Sequence, residues 1–361
     1  MKKKKIAILT LTDNYNLGNR LQNYAVQYYI ESHFNVKCET IGYCYNCLRK
    51  TKVELFKDNL KYFVKCRLGI FMRRFKIDRS SYLFNKLMHQ SKYSFYKGFD
   101  KNILLKKYDA FIVGSDQIWN PHLIQSTDIN FLTFVPALKK ICFSPSIAVD
   151  EIPDDIYEDF KKGIMTFDRI SIREEIGAEL VNQIIGDKRA VSTIDPTLCV
   201  EKEQWELLSK QIKKKEGNYI VVYILGNEPF ELSSDLKYFV EKYGYEVVYI
   251  GIKSNFNPKL FINLINHAKL VCTDSFHGTV FSLIFNKPVI IYTRYDKNVS
   301  MNSRLESLTN LFMMQKLKRK NIHNLDDVFQ FSYYLSNNIL EEQKKRMLIF
   351  LTEEFDKKVN N

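Results

Sequence analysis

Short β-branched runs alternate along this chain with helical patterns, as in the successive segments 219–225, 232–243 and 246–250. Such alternation is typical of βαβ units, in which parallel strands form a sheet that helices cover on both faces. A chain of 361 residues is too long for one comfortable core. We therefore predict an α/β fold of two doubly wound domains, 1–199 and 200–361, that face each other across a cleft. The C-terminal helix is assigned to the second domain.

The stretch 268–294, AKLVCTDSFHGTVFSLIFNKPVIIYTR, has the pattern of a strand, a sharp turn, a helix and a second strand. His277 would then follow the carboxyl end of a strand and lie in the first turn of a helix. That end of a helix presents unpaired N–H groups and the positive end of its dipole, so it attracts anions. A structural alternative stays open, in which Asp274 or Ser275 only caps the helix and His277 is a surface residue.

Three further turns follow strands in the same way. The polar loop TDNYNLGN covers 12–19, the turn GSD ends at Asp116, and Arg173 follows the run RISI. Asp116 could instead be a simple cap, and Arg173 could pair with Glu174 or Asp195 on the surface. Ligands of open α/β sheets bind at the carboxyl ends of strands. A cleft lined by these turns suits a small, multiply charged anion, and its carboxylates could bind or deprotonate a sugar hydroxyl.

Several classes of protein and site are disfavoured. The chain lacks both GxGxxG and the Walker GK[ST] pattern, so neither a dinucleotide-binding loop nor a phosphate-binding P-loop is expected. None of its apolar runs is long enough to span a membrane. Seven cysteines without a secretion signal predict a reducing cytoplasm. The CxxC pair Cys44 and Cys47 stands alone, so no metal site is expected.

The net charge of +13 is concentrated in one segment. Residues 49–107 contain 17 Lys and Arg against 4 acids, and aromatic and aliphatic residues alternate with these cations. This pattern predicts a basic helical insertion in the first domain. Its apolar face could rest on an anionic membrane surface, or it could be buried in the fold beneath a solvated basic face. No nucleic-acid-binding signature accompanies the charge, so nucleic acid is not an expected partner.

Several blocks, taken together, resemble the polysaccharide pyruvyl transferase family. They are NLGNRLQNYAVQ after the first strand, VGSDQIWNP, SIREEIG, DPTL before a tryptophan, DSFHGTVFSLIFNKPVI and NSRLESL. They occur in the family's usual order over roughly 5–312, and the basic insertion and the C-terminal tail lie outside the resemblance. The resemblance implies two Rossmann-like domains similar to GT-B glycosyltransferases. It also implies phosphoenolpyruvate as donor, a saccharide as acceptor, and a pyruvate ketal bridging two sugar hydroxyls as product.

The resemblance carries a donor-site arginine onto Arg173 and a donor-site histidine onto His277. Arg173 would hold the anionic donor, and His277 would act as general acid or clamp the leaving phosphate. The base toward the acceptor would be Asp274 or Asp116, and the sequence does not choose between them; Asp274 is included with Arg173 and His277 as catalytic. The predicted donor-binding residues are Arg173, Ser275, His277, Gly278, Thr279 and Arg304. The predicted acceptor-binding residues are Asn14, Asn19, Arg20, Gln22, Asn23, Ser115, Asp116 and Asn120.

No cofactor is expected besides phosphoenolpyruvate as co-substrate. A lipid-linked acceptor at the cytoplasmic face of a membrane would explain why the chain carries a basic insertion that the donor chemistry does not need.

Two rival functions stay open. A nucleotide-sugar glycosyltransferase of the GT-B type would have the same two domains. Such enzymes often hold the ribose with an acidic residue in a helix of the second domain, and 279–286 contains no acid. A non-catalytic saccharide-binding subunit of a polysaccharide assembly is the other rival. The presence of both Arg173 and His277 disfavours it.

Overall fold

The structure of the protein is a computed structural model that describes residues 3–12, 16–43, 47–68, 82–251, 257–295 and 302–360. Asn14, Cys44 and the centre of the basic segment lie outside the described residues. The chain divides into two compact units, one formed by Met1–Val200 with Gln343–Asn361 and the other by Glu201–Glu342. Each unit contains its own parallel sheet.

The first unit is built on a five-stranded parallel sheet with the order β3-β2-β1-β4-β5. A parallel pair, β6-β7, belongs to the same unit. The central strand β4 is buried along its whole length, which explains why its sequence, AFIV, is a continuous apolar run rather than an alternating one. The strands are β1 Lys4–Leu9, β2 Val36–Gly42, β3 Gln90–Ser94, β4 Ala110–Val113, β5 Lys140–Cys142, β6 Ile170–Ile172 and β7 Ala190–Ser192.

Helices connect these strands. The first begins after Asn16, whose side chain accepts a hydrogen bond from the Asn19 amide and so satisfies one orphan donor of the first turn. The described helices of this unit are α1 Leu17–His33, α2 Lys52–Leu68, α3 Asn102–Lys107, α4 Asp154–Met165 and α5 Glu175–Ile185, with single turns at Thr127–Asn130 and Pro196–Cys199.

The basic segment is not helical throughout, and this corrects the prediction for 49–107. It supplies β3, which pairs with β2 and forms an edge of the first sheet. A capping box starts α2, because Glu54 accepts from the Thr51 amide at 2.8 Å while the Thr51 hydroxyl accepts from the Glu54 amide at 3.3 Å. The apolar residues of the basic segment divide between two environments. Phe84 and Phe95 are buried, whereas Val53, Phe56 and Leu60 of α2 are 61, 68 and 51% exposed.

The second unit contains the four-stranded parallel sheet β11-β10-β8-β9. Its strands are β8 Tyr219–Tyr223, β9 Glu246–Tyr249, β10 Leu270–Thr273 and β11 Val289–Ile291. Its helices are α6 Lys202–Ser209, α7 Leu232–Tyr243, α8 Pro258–His267, α9 Phe276–Ile284 and α10 Asn302–Leu311. The order β10, α9, β11 is the one predicted for 268–294. No described helix is long and apolar enough to cross a membrane.

The last helix, α11 Tyr334–Phe355, begins in the second unit, and the chain from Gln343 onward belongs to the first. This differs from the prediction, which placed the whole C-terminal helix in the second domain. The Lys358 ammonium is buried and bonds to Asp168 and Glu354, both at 2.6 Å. Phe355 stacks on Phe34 with ring centroids 4.0 Å apart. Burying a lysine requires such carboxylate partners, and a helical pattern alone does not reveal where they lie.

Candidate active site

In the first unit, hydrogen bonds join the turns that follow β1 and β4. The Gln22 side chain on α1 donates to the Thr10 hydroxyl at 2.9 Å and accepts from the Ser115 amide at 3.3 Å. Thr10 in turn donates to the Ser115 carbonyl at 3.1 Å. Gly114 makes the turn possible, because a Cβ at its φ of +113° would lie 2.4 Å from the Phe143 carbonyl oxygen.

Arg173 extends this network from the end of β6. Its Nη2 donates to the Ser115 hydroxyl at 2.5 Å and lies 2.8 Å from the Asp195 carboxylate. The side chains of Arg173 and Asp195 are only 2 and 0% exposed. The pairing with Asp195 that the sequence allowed therefore exists, but the expectation that it lies on the surface is wrong. Glu174 instead accepts from the Ser146 hydroxyl and the Ile147 amide.

Asn19, Arg20 and Asp116 form the other side of the network. The Asn19 amide donates to the Asp116 carboxylate at 3.1 Å, and the Arg20 guanidinium donates to the Asn19 side-chain oxygen. Asp116 is buried and has a φ of +57°, a left-handed conformation that residues other than glycine rarely adopt. Backbone strain of this kind concentrates at functional sites, so it is consistent with a functional role for the turn at Asp116.

Two predicted acceptor residues are held by separate, local contacts. The Asn23 side-chain oxygen accepts from the Thr40 hydroxyl on β2 at 2.9 Å. Asn120 donates to the Gln117 side chain at 2.7 Å and accepts from the His122 amide at 3.0 Å. The Gln22 side chain also donates to the Asn19 carbonyl at 3.1 Å, so hydrogen bonds join Asn19, Arg20, Gln22, Ser115, Asp116 and Arg173 into one network. The bonds given above for Asn23 and Asn120 are to other residues.

In the second unit, Ser275 caps α9. Its hydroxyl accepts from the Gly278 amide at 3.4 Å, as the capping alternative proposed. Asp274 does not cap the helix. Its two carboxylate oxygens accept from the backbone amides of Leu225 and Gly226, at 2.7 and 2.8 Å, and so tie the loop after β8 to the end of β10. Only 1% of Asp274 is exposed.

His277 lies in the first turn of α9 and is 7% exposed, so the alternative that made it a surface residue is wrong. Its ring meets the Phe276 ring edge-on at 5.3 Å between centroids. The Arg304 guanidinium lies over the same Phe276 ring, 5.7 Å from its centroid, and Arg304 is also buried. The N-terminus of α9 thus collects a histidine, an arginine and the positive end of the helix dipole, which together favour an anion.

Gly278 and Thr279 support the geometry of this turn. A Cβ on Gly278 would lie 2.3 Å from the Thr273 hydroxyl oxygen, so the close packing of α9 against β10 requires glycine there. The Thr279 hydroxyl donates to the Ser275 carbonyl at 3.1 Å within the helix. Both residues were predicted to bind the donor. Their contacts with Thr273 and Ser275 shape the N-terminal end of α9.

Two residues of this region were not predicted from the sequence. Tyr223, at the end of β8, hydrogen-bonds to Ser275, and its burial, together with the charge of Asp274, raises the pKa of its phenol well above the usual value. It therefore stays protonated at neutral pH. Arg294 follows β11, and a Cβ on Gly226 would touch both Arg294 and Asp274. The signal for Arg294 was present, because it follows a strand just as Arg173 does.

Solved structures share this fold. S. aureus MnaA, in a co-structure with UDP, is 11% identical, with 98% of this chain and 97% of that chain covered and a TM-score of 0.53. A protein of Listeria monocytogenes described as a candidate UDP-N-acetylglucosamine 2-epimerase is 11% identical, with 99% and 98% covered and a TM-score of 0.50. Identity this low shows the fold alone, which is the GT-B-like, Rossmann-like α/β class that the sequence predicted.

Comparison by sequence identifies the family. No curated protein matches the chain significantly. The family model named Polysaccharide pyruvyl transferase matches residues 16–296, which cover most of the chain and include the turns of Arg173 and His277. The chain therefore belongs to the polysaccharide pyruvyl transferase family.

Proposed function

We propose that this protein transfers a pyruvyl group from phosphoenolpyruvate to a saccharide and forms a ketal. The observation that supports this most directly is the family match over 16–296, because it spans both turns whose chemistry suits an anionic donor. As a transferase of polysaccharide biosynthesis, the protein needs a saccharide acceptor. The identity of the donor and the formation of a ketal are the parts that require an experiment.

The N-terminus of α9 suits phosphoenolpyruvate. The donor carries a phosphate and a carboxylate, and both groups need cations and N–H donors. Arg304 supplies a cation and His277 a ring nitrogen beside the first turn of this helix, where Ser275 already caps one amide. Arg173 is the additional cation that the family resemblance assigns to the donor.

The proposed reaction balances without a cofactor. The enol methylene carbon takes a proton from His277 and becomes a methyl group, which leaves an oxocarbenium-like centre at the neighbouring carbon. One sugar hydroxyl attacks that centre, the bond to phosphate breaks, and a second hydroxyl closes the ketal. Over one turnover, one hydroxyl proton restores the proton that His277 gave to the methyl group, and the other leaves on the released phosphate.

Asp116 is the better candidate for the base that receives a hydroxyl proton. Both oxygens of Asp274 accept backbone amides, which fits a positioning role for that residue. Asp116 shares the network of Asn19, Arg20 and Ser115, the residues predicted to bind the acceptor. We therefore assign the base to Asp116 and the positioning of the loop after β8 to Asp274.

Calorimetric titration of phosphoenolpyruvate into the unaltered protein tests the donor, with a UDP-hexose as the control ligand because a structural neighbour binds UDP. We expect saturable binding of phosphoenolpyruvate and at least about tenfold weaker binding of the UDP-hexose. Binding of the UDP-hexose without binding of phosphoenolpyruvate would contradict the proposal and indicate a nucleotide-sugar glycosyltransferase. Binding of neither ligand would favour a saccharide-binding subunit.

We further propose that α2 rests on the anionic surface at the cytoplasmic face of a membrane. Val53, Phe56 and Leu60 recur at helical spacing on its exposed side, and Lys57 and Lys61 lie next to this apolar stripe. An interfacial helix combines an apolar face with flanking lysines that attract acidic lipid headgroups. A lipid-linked acceptor would be presented at such a surface.

Vesicle binding tests this surface. We expect the protein to sediment with vesicles of phosphatidylcholine and phosphatidylglycerol, to ignore pure phosphatidylcholine, and to be released by raised salt. The double substitution Phe56→Ser and Leu60→Ser should weaken binding about tenfold or more, since each buried apolar side chain contributes about 1.5–3 kcal/mol. Phe230→Ser is the matched control, because Phe230 is 83% exposed elsewhere. Equal binding by all three proteins would contradict the proposal.

A further inference from the structure

A cavity of about 550 Å³ lies within the first unit, beside α2. Leu55, Asn59 and Phe63 of α2 line it and share one face of the helix, since they are spaced four residues apart. Thr12, after β1, and Tyr43, after β2, line the same cavity. Its volume falls in the range of pockets that hold one small ligand. None of the proposed donor residues lines it.

The walls combine aromatic rings with side-chain amides. Phe63 and Tyr82 meet edge-on with ring centroids 6.2 Å apart, and both are partly exposed, whereas Tyr43 and Phe95 are fully buried. Asn59 adds an amide to this wall. Aromatic faces cover the apolar side of a ligand, and a few placed polar groups fix its orientation. A sugar ring, with C–H groups on its faces and hydroxyls around its edge, matches such walls.

The charge of the lining is positive. Arg20 and Lys86 line the cavity, and the described lining residues include no Asp or Glu. The Arg20 guanidinium is held in place by the Leu11 carbonyl at 3.2 Å and the Asn85 side-chain oxygen at 3.1 Å. Most of the lining residues belong to 52–68 and 82–95, the described parts of the basic segment nearest the cavity. A ligand with a negative charge is therefore favoured over a neutral one.

The cavity also connects to the predicted acceptor network. Arg20 lines the cavity with one part of its side chain and donates to the Asn19 oxygen, and Asn19 donates to Asp116. One amide thus separates the cavity lining from the proposed base. A ligand in the cavity would lie next to the residues that we expect to handle the acceptor hydroxyls.

We propose that this cavity binds the sugar of a glycosyl phosphate, and that it is the acceptor subsite of the protein. This inference rests on the proposed function for the role of the ligand, but the binding itself does not depend on the donor. The aromatic rings would cover the sugar, and Arg20 and Lys86 would attract the phosphate. The same chemistry would serve a free sugar phosphate or the headgroup of a lipid-linked saccharide.

Calorimetric titration of the full chain with the 1-phosphates of glucose, galactose and N-acetylglucosamine tests the inference. The matching methyl glycosides and inorganic phosphate are the control ligands. We expect at least one 1-phosphate to bind. The matching methyl glycoside, which lacks the phosphate, and inorganic phosphate, which lacks the sugar, should each bind at least about tenfold more weakly than that 1-phosphate. Adding a short lipid chain to the phosphate of the tightest ligand distinguishes the two sources: tighter binding indicates a lipid-linked acceptor, and unchanged binding a free sugar phosphate.

Asn59→Trp and Ile103→Trp form a pair of substitutions within the segment 49–107. Asn59 lines the cavity and is solvent-exposed, so an indole there would fill the cavity without disturbing the core, whereas Ile103 on α3 is 39% exposed and does not line it. We expect N59W to lose the 1-phosphate and I103W to retain it, while both bind phosphoenolpyruvate as the unaltered protein does. Absence of binding by every 1-phosphate, or binding that N59W leaves intact, would overturn the inference. If the unaltered protein did not bind phosphoenolpyruvate, that result would instead count against the proposed function.

Discussion

Replacing His277 with glutamine is expected to slow pyruvyl transfer about 10²- to 10⁴-fold, the usual contribution of a general acid. Glutamine retains a hydrogen-bonding amide in a buried first turn but cannot deliver a proton to the enol methylene. The rate is measured as phosphate released from phosphoenolpyruvate, with a saccharide that supports turnover by the unaltered protein. The effect should be largest in kcat, because proton transfer belongs to the chemical step.

His267→Gln is the matched control. His267 ends α8 in the same unit, where its ring nitrogen contacts the Asn263 carbonyl at 2.9 Å, and no role in the reaction is proposed for it. The affinity of H277Q for phosphoenolpyruvate then separates two roles of His277. Retained affinity with a slow rate indicates a general acid, whereas a parallel loss of both indicates a clamp on phosphate. Turnover by H277Q within a few-fold of the H267Q control would exclude both roles.

The parts of the fold that were predictable depend on local patterns. α7 has the predicted bounds, and the strand, turn and helix around His277 occur where the β-branched pattern of the sequence changes to a helical one. In these segments burial on both faces of a parallel sheet produces continuous apolar runs that the sequence displays directly. The position of His277 at the start of α9 follows from the same patterns.

The edge strand β3 was missed for a physical reason. Its sequence, QSKYS, has no continuous apolar run, because an edge strand pairs on one side only and is partly exposed. Lysines are common on such edges, since they discourage pairing with another chain. Lys92 of this strand also contributed to the basic count that suggested a helical insertion.

Local sequence patterns could not predict which residues the candidate site residues contact. The distance of Arg173 from Asp195, and the two backbone amides that bind Asp274, depend on how separate strands align. A sequence shows that a charge follows a strand, but not whether it is buried with a partner. Tyr223 was missed for this reason too, because its phenol becomes relevant only through contact with Ser275.

Replacing Arg173 with methionine is expected to abolish measurable turnover and to lower the free energy of unfolding by about 3–5 kcal/mol. The substitution leaves the buried Asp195 carboxylate without its cation, although Thr197 still donates to its other oxygen. Stability is measured by urea denaturation and donor affinity by calorimetry. Arg169→Met is the control, because Arg169 lies at the other end of the same strand and its partner Glu353 is exposed. A surface ion pair of this kind contributes about 0–1 kcal/mol.

The double substitution Arg173→Met and Asp195→Asn separates stability from donor binding. Asparagine removes the buried negative charge that has lost Arg173 and keeps an oxygen that can accept from the Thr197 amide. We therefore expect the double variant to regain most of the stability that R173M loses. Its affinity for phosphoenolpyruvate should stay as low as that of R173M if Arg173 binds the anionic donor. Recovery of affinity together with stability would show that Arg173 acts only through the fold, and donor binding would then depend on His277 and Arg304 beside α9.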